Sequence, residues 1–120
     1  IVTDMSALTN LNVSNTNITS LDFAGCENLY ELDATGSKLS NLDISTNTNL
    51  VGLRLEATQL NTLDISNNPA LQFVNVSNTN LTALNVSKNT GLLYLLLNNT
   101  PITSLDVSKN TALKTLQIDN

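Results

Sequence analysis

A leucine stands at positions 8, 29, 50, 71, 92 and 113, each 21 residues after the one before. A fixed period of this size means one structural coil repeated along an axis, each coil burying its apolar side only against its neighbours. The period holds more than one column. Counting Leu8 as the first position of a coil, the fourth reads Leu11, Leu32, Leu53, Val74, Leu95 and Leu116. The sixth reads Val13, Ala34, Leu55, Val76, Leu97 and Ile118. Positions eleven, fourteen and sixteen are also aliphatic or aromatic throughout, the last running Val2, Phe23, Ile44, Ile65, Val86 and Val107. Columns that keep their chemistry while shape changes slightly are the mark of side chains stacked on their own equivalents.

Polar columns share the register. The ninth position is Thr16, Ser37, Thr58, Thr79 and Thr100. The fifteenth is Asp22, Asp43, Asp64, Asn85 and Asp106, and the nineteenth is Met5, Cys26, Asn47, Asn68, Asn89 and Asn110. The later coils read L-x-x-L-x-L-x-x-T-x-L-T-x-L-D-V-S-x-N-T-x. This pattern resembles the leucine-rich-repeat family, whose L-x-x-L-x-L-x-x-N-x-L core is met by Leu50, Leu53, Leu55 and Leu60 and by their equivalents in the other coils. It departs at the ninth position, where Thr or Ser replaces the family's Asn or Cys. The wording of residues 102–113 is similar to repeats of bacterial surface proteins, including internalin-like adhesins and secreted proteins of Bacteroidetes. The resemblance implies a solenoid with a parallel β-sheet on its concave face, no long helices, and a bacterial protein at the cell surface or outside the cell.

The residues lead to the same architecture by a separate route. Positions three to seven alternate, four and six inward, three, five and seven outward, which is strand period. Strands repeated once per coil must run parallel, about 4.8 Å apart. The L-D-[VI]-S stretch at fourteen to seventeen alternates again, so the convex side should carry a second short extended segment or single 3-10 turns. Asp, Ser, Asn and Thr are weak helix formers and leave no room there for a long helix. Aromatic residues make up only 3% of the chain, so the core must come from aliphatics of uniform size, which suits a narrow coil. The 120 residues form a single domain, with partial coils at both ends expected of a piece cut from a longer protein. Open ends near Val2 and Ile118 are templates for end-to-end self-association.

Function is narrowed chiefly by exclusion. There is no histidine, and Cys26 is the sole cysteine, which removes Cys-His chemistry and any internal disulfide. Cys26 is expected to be a buried thiol filling a small site. No phosphate-binding or dinucleotide fingerprint occurs, and an open sheet offers no cleft for paired carboxylates, so no enzyme, cofactor or metal is expected. Net charge is −5, and the five basic residues, Lys38, Arg54, Lys88, Lys109 and Lys114, are scattered, which speaks against nucleic acid. No apolar run approaches the ~20 residues of a membrane span. The N-x-[ST] sequences at Asn12, Asn17, Asn75, Asn80, Asn85 and Asn98 arise from composition.

Three polar arrays invite sharper ideas. A Thr column can bind ice if it faces outward, but position nine lies between inward positions and should be buried. A calcium row along the Asp column would need clustered carboxylates, whereas one acid per coil is better served by bonding local backbone. The outward residues of the strand are the surface free to vary. Among them Phe73, Tyr94 and Leu96 are adjacent by register, with Arg54 and Asn75 beside them and Glu31, Asp33 and Glu56 toward the N-terminal end. Exposed aromatics next to Arg are common interface anchors. The expectation is therefore a protein ligand, such as a host surface protein, bound on the concave sheet in recognition or adhesion. A spacer without its own ligand and a carbohydrate-binding module are the alternatives.

Overall fold

A computed structural model describes residues 5–120. Six three-residue strands follow one another: β1 (Asn10–Asn12), β2 (Glu31–Asp33), β3 (Gly52–Arg54), β4 (Phe73–Asn75), β5 (Tyr94–Leu96) and β6 (Thr115–Gln117). They form one parallel sheet in chain order, β1 to β6. Each pairing keeps the 21-residue register: Leu32 faces Leu53, Leu53 faces Val74, and Val74 faces Leu95. No helix is present among the described residues, so none is long and apolar enough to cross a membrane. Val2 lies outside the described residues.

The strands are short, yet inter-coil bonding extends beyond them. Position two donates backward, as when the Gln72 N–H reaches the Val51 carbonyl at 2.9 Å. Position six donates forward, Leu55 N–H to Asn75 O at 2.8 Å, and position eight does likewise, Ala57 N–H to Ser77 O at 3.0 Å. At position eight the chain turns away through a left-handed residue. Asn15, Gly36, Ala57, Asn78 and Asn99 all have φ between 54° and 69°. Asn and Gly tolerate that region, and Ala57 is the exception.

The core is the stack of repeated apolar columns. Leu29, Leu50, Leu71 and Leu92 are fully buried, as are Leu32, Leu53, Val74 and Leu95 three residues further on in the same coils. Leu8, Leu11 and Val13 at one end, and Leu105, Val107 and Leu113 at the other, are only partly covered. Leu116 and Ile118 are 40% and 39% exposed, because no further coil lies over them in this structure.

The return side is helix-free and closed by single turns, as the sequence reading expected. The stretch at positions fourteen to seventeen carries no strand. Its backbone groups are used locally. The position-fifteen side chain accepts the N–H of position seventeen, as Asp64 Oδ1 does from Ser66 at 2.9 Å. The position-sixteen carbonyl then accepts the N–H of position nineteen in a tight turn, Ile65 O from Asn68 at 3.2 Å. A second turn closes from position nineteen to the next leucine, Leu71 N–H to Asn68 O at 3.2 Å. N–H groups spent within a coil cannot pair between coils, whereas each carbonyl keeps a second lone pair for another donor.

The polar columns do the lateral bonding instead. Asn68 Nδ2 donates to Ile44 O and to Asn47 O, both at 2.9 Å, in the preceding coil. Asn89 and Asn110 repeat this on Ile65 and Asn68, and on Val86 and Asn89. Cys26, fully buried, precedes Asn47 in the column, and its carbonyl accepts from Asn47 at 2.9 Å. The ninth-position hydroxyls of Thr16, Thr58, Thr79 and Thr100 each donate to the carbonyl three residues back. From Ser37 to Thr100 the column is buried, so it presents no ice-binding array.

Candidate functional site

Outward side chains at positions three, five and seven lie side by side because the register is constant. Gly52 pairs with Glu31 on one side and Phe73 on the other, and Phe73 pairs with Tyr94. Arg54 lies between Asp33 and Asn75, and Asn75 pairs with Leu96. The eight candidate residues therefore share one face of the sheet and form a continuous surface over four coils.

Their contacts give that surface a defined internal order. Arg54 Nη1 meets Glu31 Oε2 at 2.6 Å, the one ion pair among the described residues. Gly52 makes this possible. A Cβ on Gly52 would stand 2.9 Å from the Glu31 carboxyl carbon, so the missing side chain is the notch in which Glu31 rests. The same guanidinium lies over the Phe73 ring, 4.7 Å from its centroid, in a cation–π contact. Phe73 and Tyr94 follow at 6.3 Å with their planes inclined by 45°. The sequence Glu31, Arg54, Phe73, Tyr94 is thus one chain of contacts running along the solenoid. Phe73 is half-buried within it, whereas Tyr94 is 38% exposed at its end.

The remaining polar members are held from below. Glu56 accepts from Asn75 Nδ2 at 3.1 Å and from Asn78 Nδ2 at 3.2 Å. Asp33 Oδ1 accepts the Thr35 N–H at 3.0 Å, and Asn75 Oδ1 accepts that of Ser77 at the same distance. A shallow depression of about 290 Å³ opens beside Asp33, lined by Asn10, Leu11, Asn12, Glu31, Asp33 and Arg54. Two features escaped the sequence reading. Arg54 turns back to Glu31, and no column statistic encodes that direction. Tyr30, 50% exposed, stands next to Glu31 at position two. Its column, Thr9, Tyr30, Val51, Gln72, Leu93 and Lys114, varies as freely as the outward ones, which was the available signal.

The acidic column on the return side is occupied by its own backbone. Asp22, Asp43, Asp64 and Asp106 each accept the N–H two residues on, between 2.9 and 3.0 Å, and Asn85 does the same. The Ser45 hydroxyl adds a second bond to Asp43 at 2.7 Å. Hydrogen bonds from the serine side chain and then from its backbone hold Asp43, Asp64 and Asp106 below the ordinary carboxylate value of 3.8, since both favour the charged form. Among the described residues no group of three or more Cys, Asp or Glu is arranged to hold a metal ion.

No family model matches the chain, and no curated protein matches it. Solved structures do. The functional domain of InlJ from Listeria monocytogenes, which includes a cysteine ladder, superposes with a TM-score of 0.75 and 32% identity over 98% of this chain and 32% of that one. A leucine-rich-repeat protein of Leptospira interrogans gives 0.87 with 21% identity over 96% and 32%. Internalin C2 of Listeria monocytogenes gives 0.78 with 16% identity over 97% and 66%. This chain spans about a third of the length of the first two. At the lower identities the likeness is one of fold. Parallel strands in 21-residue register, helix-free coils and these neighbours agree: the chain has the leucine-rich-repeat solenoid fold, and within that fold its likeness is to the bacterial, internalin-like proteins.

Proposed function

We propose that this chain is a protein-recognition module that binds its partner on the sheet face, as part of a bacterial protein acting in adhesion at the cell surface or outside the cell. The observation that carries this reading is the ordered contact chain from Arg54 through Phe73 to Tyr94, with Leu96 alongside. A repeated scaffold needs no particular residue at its outward positions. Here those positions hold aromatic and apolar groups already packed in one conformation, and rigid aromatics lose little entropy on binding. The internalin likeness supports a protein partner over the spacer alternative.

The carbohydrate alternative is weakened by the same contacts. Sugar stacking needs a free ring face, and Phe73 is capped by Arg54 and flanked by Tyr94. Of these two rings only Tyr94 would be left to serve. Screening the purified chain against a panel of extracellular protein domains and against a glycan array separates the classes. A protein hit lost in both Phe73→Ala and Tyr94→Ala, with the Tyr94→Ala melting point unchanged, supports the proposal. A glycan hit alone, or a protein hit indifferent to both substitutions, contradicts it. Silence on both panels favours the spacer.

A further inference from the structure

Arg54 looks, from the sequence, like the cation that a partner's carboxylate would seek. Its geometry removes it from that role. The guanidinium is committed to Glu31 on one side and to the Phe73 ring on the other. Two carboxylates of the same face have no such counter-ion among the described residues. Asp33 is bonded only by a backbone N–H, and Glu56 only by two neutral amides. Those bonds orient both carboxylates without neutralising them. Over all outward strand positions the face holds four carboxylates, Glu31, Asp33, Glu56 and Asp119, against the single guanidinium of Arg54.

Resting on the sheet-face reading above, we propose that the partner segment is a basic polypeptide, with a Lys or Arg side chain seated in the depression at Asp33 and an apolar side chain on Tyr94 and Leu96. The depression offers the carboxylates of Glu31 and Asp33 to an ammonium or guanidinium, Arg54 in its lining being turned to Glu31. The path to Leu96 runs by register over Arg54 and Asn75, where Glu56 is bonded to Asn75. Register sets the spacing. Asp33 and Leu96 occupy the same strand position three coils apart, so the two seats are about 14 Å apart at ~4.8 Å per strand. An extended peptide lying along the solenoid covers that distance in about four residues at ~3.3 Å each. A partner offering a carboxylate would meet like charge at every free group and find its one cation occupied.

Selection of phage-displayed random dodecapeptides on the chain tests this directly, because a random library carries no bias toward any charge. Binders should carry Lys or Arg about four residues from an aromatic or aliphatic residue. Synthetic versions should lose about tenfold or more in affinity for the Asp33→Asn, Glu56→Gln double variant, and should weaken as salt rises. Asp33→Asn keeps the oxygen that the Thr35 N–H needs, and Glu56→Gln keeps one of its two acceptor oxygens and gives up only one bond, the exposed one to Asn78, so the melting point should fall only slightly. Binders that are acidic or uncharged, or that bind the double variant undiminished yet are lost in Tyr94→Ala, overturn the basic-partner inference and leave the sheet-face reading standing. Binders indifferent to Tyr94→Ala as well defeat both. A library that yields no binder also overturns the inference.

Discussion

Ala57 holds a backbone angle that its neighbours in the column reach with Asn or Gly. Its φ is 56°, in the left-handed region that costs an L-residue with a Cβ roughly 1–2 kcal/mol. Ala57→Gly removes that cost, offset in part by the entropy of the unfolded glycine. The expected gain is about 1 kcal/mol, a rise of about 4 °C in Tm by calorimetry. A fall in Tm would show that the left-handed turn at position eight is wrong. A second contrast lies in the Asn column. Asn68 makes two buried bonds to the preceding coil, and Asn47 makes one, to Cys26. Truncation leaves a cavity in both cases, so Asn68→Ala should cost about 2–4 kcal/mol and Asn47→Ala about 1 kcal/mol less in chemical denaturation. Equal costs would mean that the amides fill space rather than tie coils together. The Thr, Asn and Asp columns were legible as backbone-bonding groups because each recurs where the coil bends. The left-handed column was legible too, in Asn15, Gly36, Asn78 and Asn99, and went unread because Ala57 breaks its chemistry.

Elements in this protein are turns more than strands. A three-residue strand is too short to stand alone, and its neighbours hold it only because local side chains finish each bend. The Asp-Ser bend makes this testable by pH. Asp43, Asp64 and Asp106 have folded-state values lowered from 3.8 by their serine partners. A lowered folded pKa means that the stabilisation is present above the unfolded value and fades as pH falls through the folded one. Tm should therefore decline as pH drops below about 4. Asn at all three positions, as at Asn85, keeps the acceptor without the proton and should flatten the decline. An unchanged acid slope in the triple variant would remove these bends as its source. Strand position followed from the period-two alternation. The helix-free return stretch with its single turns followed from its Asp, Ser, Asn and Thr content.

For the whole molecule, regular spacing converts a linear list of outward residues into a surface. That is why Glu31, Asp33, Arg54, Glu56, Phe73, Asn75, Tyr94 and Leu96 could be grouped from the chain alone. What could not be grouped was the direction of each side chain. Arg54 reaches Glu31 across Gly52, and this turns an apparent cation site into an anionic one. Stacking in constant register is the claim on which the surface, the core and the proposed partner all depend. Spin labels at Asn12 and Gln117, the same position of β1 and β6, test it by pulsed electron paramagnetic resonance, with Cys26 replaced by Asn to leave only the labelled sites. Five strand spacings of ~4.8 Å place the labelled backbones about 24 Å apart, so a narrow distribution centred near that distance is expected. A broad distribution, or one centred beyond about twice that value, would contradict the stacked solenoid.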